Sequence, residues 1–344
     1  MPIGTEASRL RRRYAQVGRL IVAGVAYCLA IDPVIADDCR EFSIHSTHLE
    51  SVVVDSNVAV VSGKPNIWGV TMRAVEVGTG RERWVSRAHF SIGSALSPRR
   101  TLGFPRDVEF YREYVLSAGT DGSVEARATE TGDLQWRLRV ANEPLWKLTI
   151  SSGMAFVAGR DGSVTAIDLE TQTILWSRIR HQEMVRSVVH ASELGAVVSA
   201  GFDGLVAVSN EPDGELLWEM SFPFRIKSAL YSNGLVLVAP WREDGADVKA
   251  YSFDKKNLIW ARSWHDHLAD GYRGKHHGVE EMIVHDGQVF TAGDDGQVVA
   301  ADATSGRPLW NAVGSGQSAR AVTVSNGNLV FVDRGGVLTI CALP

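Results

Sequence analysis

A nineteen-residue phrase that ends in tryptophan recurs along this chain, and nothing else in the sequence constrains the fold as tightly. It reads AGTDGSVEARATETGDLQW at 118–136, AGRDGSVTAIDLETQTILW at 158–176, AGFDGLVAVSNEPDGELLW at 200–218 and AGDDGQVVAADATSGRPLW at 292–310. Looser copies end at Trp84 and Trp260, so the repeat tryptophans are spaced by 52, 40, 42, 42 and 50 residues. A unit this short cannot bury its own apolar faces and must stack on copies of itself.

Within one period the apolar pattern is that of strands. In 147–178, the runs LTI, MAFVAG, SVTAID and TILWSR are separated by turns at Ser151-Ser152-Gly153, Arg160-Asp161-Gly162 and Glu170-Thr171-Gln172. Runs of β-branched and apolar residues bounded by Gly and Asp predict four antiparallel strands per repeat. Asp-Gly stands between the second and third strands at 121–122, 161–162, 203–204 and 295–296, because its backbone tolerates the positive φ of a tight turn. Four-stranded sheets at this period are blades of a β-propeller. Six complete phrases and a three-stranded seventh, from 319, predict an all-β, seven-bladed ring. The fourth strand of the last blade is expected from the amino-terminal stretch 38–44, which removes the open sheet edge.

The module resembles the quinoprotein-like, or PQQ-like, propeller repeat, on the strength of its Gly-x-Asp-Gly phrase, its Thr-Gly before Trp, and Asp168 and Asp302 after the third strand. In repeat type and export it is similar to the BamB-type exported propellers, from which it departs in showing seven blades rather than eight and no lipidation signal. That resemblance implies a non-enzymatic binding or scaffold protein. Other members of the wider family are quinone-cofactor oxidoreductases that use an adjacent Cys pair, and this chain has no such pair.

The first 36 residues stand apart from the ring. Five arginines at 9–19, an apolar run from Leu20 to Ile31, and Val34-Ile35-Ala36 before Asp37 read as a secretory signal peptide cleaved near Ala36. The mature chain, 37–344, is expected to be one propeller domain in the periplasm or outside the cell. Cleavage takes five arginines and two acids from the 35 basic and 40 acidic residues, leaving a net charge of −8. An acidic chain has no global field for nucleic acid. Cleavage also leaves Cys39 and Cys341, on adjacent strands of the closing blade. They are expected to form a disulfide in an oxidising compartment, the alternative being two buried thiols.

Chemistry is sought on one face. The connections 87–105 and 264–278, between fourth and first strands, are long, as are those at 64–68 and 241–244 between second and third strands. All four project from the same side of a propeller and mark a binding surface. Aligning the blades places Glu50, Arg106, Trp146, Arg186, Lys227, Glu280 and Arg320 at one position, the mouth of the central channel on that side. Four cations, two carboxylates and an indole suit an anionic ligand or an acidic partner segment, or else pair among themselves. In the loop 264–278, His265, His267, His276 and His277 are candidate transition-metal ligands without a specific site spacing, and Trp264, Tyr272 and Arg273 are candidate contact anchors. No cofactor is expected on the leading reading. The alternative is a periplasmic oxidoreductase that uses PQQ or a metal on those histidines. The repeat tryptophans are expected to lock neighbouring blades.

Overall fold

Every apolar run of the repeat forms a strand. The computed structural model describes residues 34–35, 39–44, 48–65, 69–88, 103–241, 246–265 and 278–343. Among them are seven antiparallel sheets, in each of which successive strands are neighbours. The innermost strands of blades 1 to 7 are Leu49–Asp55, Pro105–Tyr111, Leu145–Ser151, Val185–Ala191, Ile226–Ser232, Val279–His285 and Ala319–Ser325.

The burial follows from position in the blade. Second strands such as Val58–Gly63, Ala196–Gly201 and Leu235–Pro240 lie between two neighbouring sheets and are buried throughout. Outer strands such as Leu134–Arg139 and Leu216–Ser221 alternate between half-buried and exposed. The core is accordingly divided into seven clusters, each drawn from two adjacent blades. One of them joins Val330, Val332 and Leu338 of blade 7 to Leu49, Ala59 and Val75 of blade 1, which closes the ring.

Two glycine-bearing turns explain the repeat phrase. In each Asp-Gly turn the Asp carboxylate accepts from the backbone N–H two residues on, at 3.0–3.1 Å for Asp121, Asp161, Asp203 and Asp295. At three blades the repeat tryptophan donates its indole N–H to a carbonyl of the next blade: Trp84 to Thr129 at 2.8 Å, Trp176 to Glu211 at 2.8 Å and Trp218 to Phe253 at 2.9 Å. Its ring lies on the turn between third and fourth strands of that blade. A Cβ on Gly214 would stand 2.7 Å from the Trp176 ring, and Gly214 has φ +70°, so only glycine fits without displacement. Gln172 and Lys256 hold positive φ at the corresponding turns of blades 3 and 5.

Closure is as expected, with one addition. Cys39–Ser43 pairs antiparallel with Val337–Ala342 and completes blade 7. Cys39 lies directly opposite Cys341 and the two form a disulfide, with Cα atoms 4.1 Å apart. The addition is Val34–Ile35. The sequence places it inside the signal peptide, yet here it is a fifth strand on blade 6, parallel to Trp310 and Asn311. Two residues are too few for a periodic signal. Among the described residues no helix is long and apolar enough to cross a membrane.

Candidate functional site at the channel mouth

The inner strand of every blade carries a register shift at the same place. Leu49 pairs with Gly63 and Ser51 with Ser62, so Glu50 has no partner across the strand. The same bulge isolates Arg106, Trp146, Arg186, Lys227, Glu280 and Arg320. These are the seven residues that the repeat alignment brought together. A bulge re-aims its extra residue, and here it turns all seven side chains into one opening. All but Glu280 border a cavity of about 250 Å³, whose rim includes Lys64, Trp241 and Arg334; Glu280 lines the narrower space beneath it. Lys64 and Trp241 are the roots of the two long connections after second strands, so the mouth opens on the loop-rich face.

The seven side chains are wired in order around the ring. Lys227 Nζ lies 2.7 Å from Glu280, Arg320 lies 2.9 Å from Glu280 and 3.2 Å from Glu50, and Arg106 lies 3.1 Å from Glu50. From Arg106 the chain of contacts continues by stacking: its guanidinium stands 3.9 Å from the Trp146 ring centre, and that of Arg186 stands 4.7 Å from it. The circuit therefore runs from blade 5 through blades 6, 7, 1, 2 and 3 to blade 4, and it stops there. Arg186 and Lys227 are neighbours with no carboxylate between them. Among the described residues Arg186 makes no ion pair, and its Nε is buried without a hydrogen-bond partner.

Desolvation is felt throughout. Burial lowers Arg106 to about 10, with Glu50 opposing and Arg186 and Arg320 adding to the drop. Burial likewise lowers Lys227 to about 8 against the pull of Glu280. Burial alone would raise Glu280, but Lys227 and Arg320 outweigh it and hold the carboxyl at about 2. Both internal pairing and a surplus of cations thus coexist in one mouth.

A second ring, which the sequence reading missed, lies directly beneath. Asp107 accepts from Ser51 at 2.7 Å and from Lys147 at 3.1 Å. Lys147 also reaches across the channel from blade 3 to Glu281 of blade 6, which bars the throat and makes the mouth a blind cup. The same layer staples the blades: Asp107 accepts from Leu148 N at 2.9 Å, Ser187 from Ala229 N at 3.3 Å and Glu281 from Val322 N at 3.0 Å. Glu109, deeper still, is raised to about 8 by burial and by Asp107, with Lys147 opposing. Strict alternation would turn Asp107, Lys147 and Glu281 away from the mouth residue before each of them. The bulge puts both on the channel, and a bulge leaves no mark in a single sequence.

On the outer side, Phe202 and Trp241 stack at 4.3 Å with planes 8° apart. The Arg225 guanidinium lies 5.3 Å and 5.5 Å from their centres, and Arg186 lies 5.8 Å from Phe202. This aromatic ledge continues from the gap between Arg186 and Lys227 toward solvent. It too was not anticipated, because Phe202 occupies the variable place of the Gly-x-Asp-Gly phrase.

The candidate metal set is corrected at one position. His265 is buried, with Nδ1 2.9 Å from Asp295 Oδ1 and Nε2 2.9 Å from Thr291 Oγ1. Both ring nitrogens are committed to blade 6 and none is left for a metal. His181 does the same in blade 4, with Asp203 at 3.1 Å and Ser199 at 3.0 Å. Both histidines stand five residues after a repeat tryptophan, a recurrence that marks a structural part. Trp264 packs its ring 5.8 Å from that of Trp260, and its backbone N–H donates to Asp247 at 2.6 Å, which fixes it against the fold. His267, His276, His277, Tyr272 and Arg273 lie outside the described residues. No cluster of three metal-binding side chains occurs among the described residues. The indole of Trp146, the one aromatic ring among the seven mouth positions, is already stacked by the guanidinium groups of Arg106 and Arg186.

Seven radially arranged sheets, Asp-Gly turns and tryptophans bridging blade to blade define a PQQ-like β-propeller. The chain belongs to the family described as "Outer membrane protein assembly factor BamB", whose model matches residues 69–240 and 243–343. It is 21% identical over 304 residues to the factor of that name from Moranella endobia, covering 85% of this chain and 74% of the relative. It is 28% identical over 243 residues to that of Burkholderia pseudomallei, covering 65% of this chain and 60% of the relative. For that of Shewanella oneidensis the identity is 24% over 156 residues, and the shares are 43% and 38%. Among solved structures, the computationally designed Ika8 protein superposes with a TM-score of 0.62 at 14% identity, covering 90% of this chain and 99% of that one. That likeness concerns the fold alone.

Proposed function

We propose that this protein is an exported, non-enzymatic scaffold that binds a protein partner through the face bearing the mouth, in the assembly of outer-membrane proteins. The reading takes residues 1–36 as the signal peptide and the remainder as the periplasmic or secreted propeller. The observation that carries it is the cup itself: an open, cation-rich depression at the centre of the face on which the long connections converge. A rigid ring holding variable loops around a fixed depression is a recognition surface. The family's name supplies the process.

The test is replacement of residues 266–277 by a Gly-Ser linker, which spares Trp264 and His265. In a strain lacking the native protein, the linker variant is expected to be secreted and folded but to leave outer-membrane β-barrel proteins at the level of the deletion. Full restoration by the variant refutes the role of this face. A deletion that leaves those proteins unchanged refutes the process.

A further inference from the structure

Resting on that reading, we propose that the gap between Arg186 and Lys227 is the seat for a carboxylate of an extended acidic peptide, with the next side chain of that peptide lying on the Phe202–Trp241 ledge. The argument begins with charge. Among the four cations of the seven bulge positions, three find a carboxylate: Arg106 and Arg320 share Glu50, and Arg320 and Lys227 share Glu280. Among the described residues Arg186 has no carboxylate within ion-pair distance; it stacks on aromatic rings and feels Glu280 only from farther away. A desolvated guanidinium with an unpartnered buried Nε is costly to keep unless something completes it. Arg106, Lys227 and Arg320 surround it with further positive charge, and Lys64 and Arg334 add more at the exposed rim. An anion entering here would be drawn by all of them and would meet a single carboxylate on the wall, Glu50. The planar fork of Arg186 matches a carboxylate in geometry as well as charge.

Size and shape choose a peptide. The cup holds about 250 Å³ and is shut below by Lys147 and Glu281, so it accommodates a side chain or two rather than a large ligand. The stacked Phe202 and Trp241 form one side of its lining. A chain whose Glu or Asp enters the cup on that side lays its neighbouring residue along the ledge, where an aromatic or aliphatic group gains contact. The Arg225 guanidinium lies over the same rings and pairs with Glu183 at 3.2 Å, which orients the ledge.

The probe is a fluorescein-labelled peptide Gly-Phe-Glu-Glu-Phe-Gly, titrated with the full-length mature protein by anisotropy, beside its Gln-for-Glu counterpart. The acidic probe is expected to bind, to weaken with added salt, and to lose about tenfold in affinity in Arg186→Gln while keeping most of it in Arg186→Lys. Arg225→Gln, on the exposed ledge, is expected to weaken binding about threefold and guards against a folding defect at position 186. Equal binding of the acidic and neutral probes, or unchanged affinity in Arg186→Gln with a normal melting curve, overturns the proposal. Inorganic phosphate or citrate that binds where the peptide does not makes the site one for small anions and also overturns it. Loss of outer-membrane assembly in the 266–277 replacement but not in Arg186→Gln would leave the scaffold role standing and remove the peptide seat.

Discussion

Replacing repeat tryptophans by phenylalanine separates two contributions that the ring normally adds together. Trp176, Trp260 and Trp310 are equally buried, at 4–5% exposure, and each rests on aromatic or glycine neighbours. Loss of ring volume costs all three about the same, on the order of 1–3 kcal/mol. Their N–H groups differ. That of Trp176 donates to Glu211 at 2.8 Å, whereas those of Trp260 and Trp310 are buried with no partner. Trp176→Phe therefore forfeits a hydrogen bond and strands a buried carbonyl, a further cost of about 1–3 kcal/mol. Trp260→Phe and Trp310→Phe remove an unsatisfied donor and recover about 1–3 kcal/mol. The expected gap between Trp176→Phe and the other two is thus about 2–6 kcal/mol, with Trp84→Phe grouping with Trp176→Phe through its bond to Thr129. Urea unfolding followed by circular dichroism measures it. Equal losses at the four positions, or the largest loss at Trp260, would refute the division.

Gly214→Ala is expected to destabilise well beyond Gly234→Ala, by about 1–3 kcal/mol more in thermal or urea melts, because the two share a positive φ but only Gly214 faces an indole at 2.7 Å. Glu109 gives a pH signature: its carboxyl is raised to about 8, so the stability of the protonated fold is complete below pH 4.5 and is lost as pH rises through 8, at most about 5 kcal/mol. Glu109→Gln should flatten that decline between pH 5 and pH 9, and urea midpoints that fall as steeply in the variant as in the native protein would contradict it.

Much of this was written in the period of the sequence. The Asp-Gly turns, the tryptophans and the seven mouth positions are legible because each recurs at a fixed offset, and recurrence in a ring means equivalence in space. The strand from Cys39 was legible for a different reason: the last repeat lacked an edge, and the chain had one segment to supply it. The charge circuit was not, since its order depends on which side chain leans to which neighbour around the circle. Arg186 and Lys227 look like Arg106 and Arg320 in the alignment. Only the positions of Glu50 and Glu280 in blades 1 and 6 decide which cations are left over. His265 was misread because nearby histidines drew it into a loop cluster, while its counterpart His181, in the same repeat place, already pointed to the interior.

The bond between Cys39 and Cys341 spans 302 positions, and it changes how the molecule would answer a mechanical load. Residues 39–341 form a covalent circle whose two ends lie opposite each other in one sheet. A pull on both ends strains that single cystine and cannot reel out any blade. A protease that grips either end likewise meets a closed loop instead of a thread, until a reductant opens the knot.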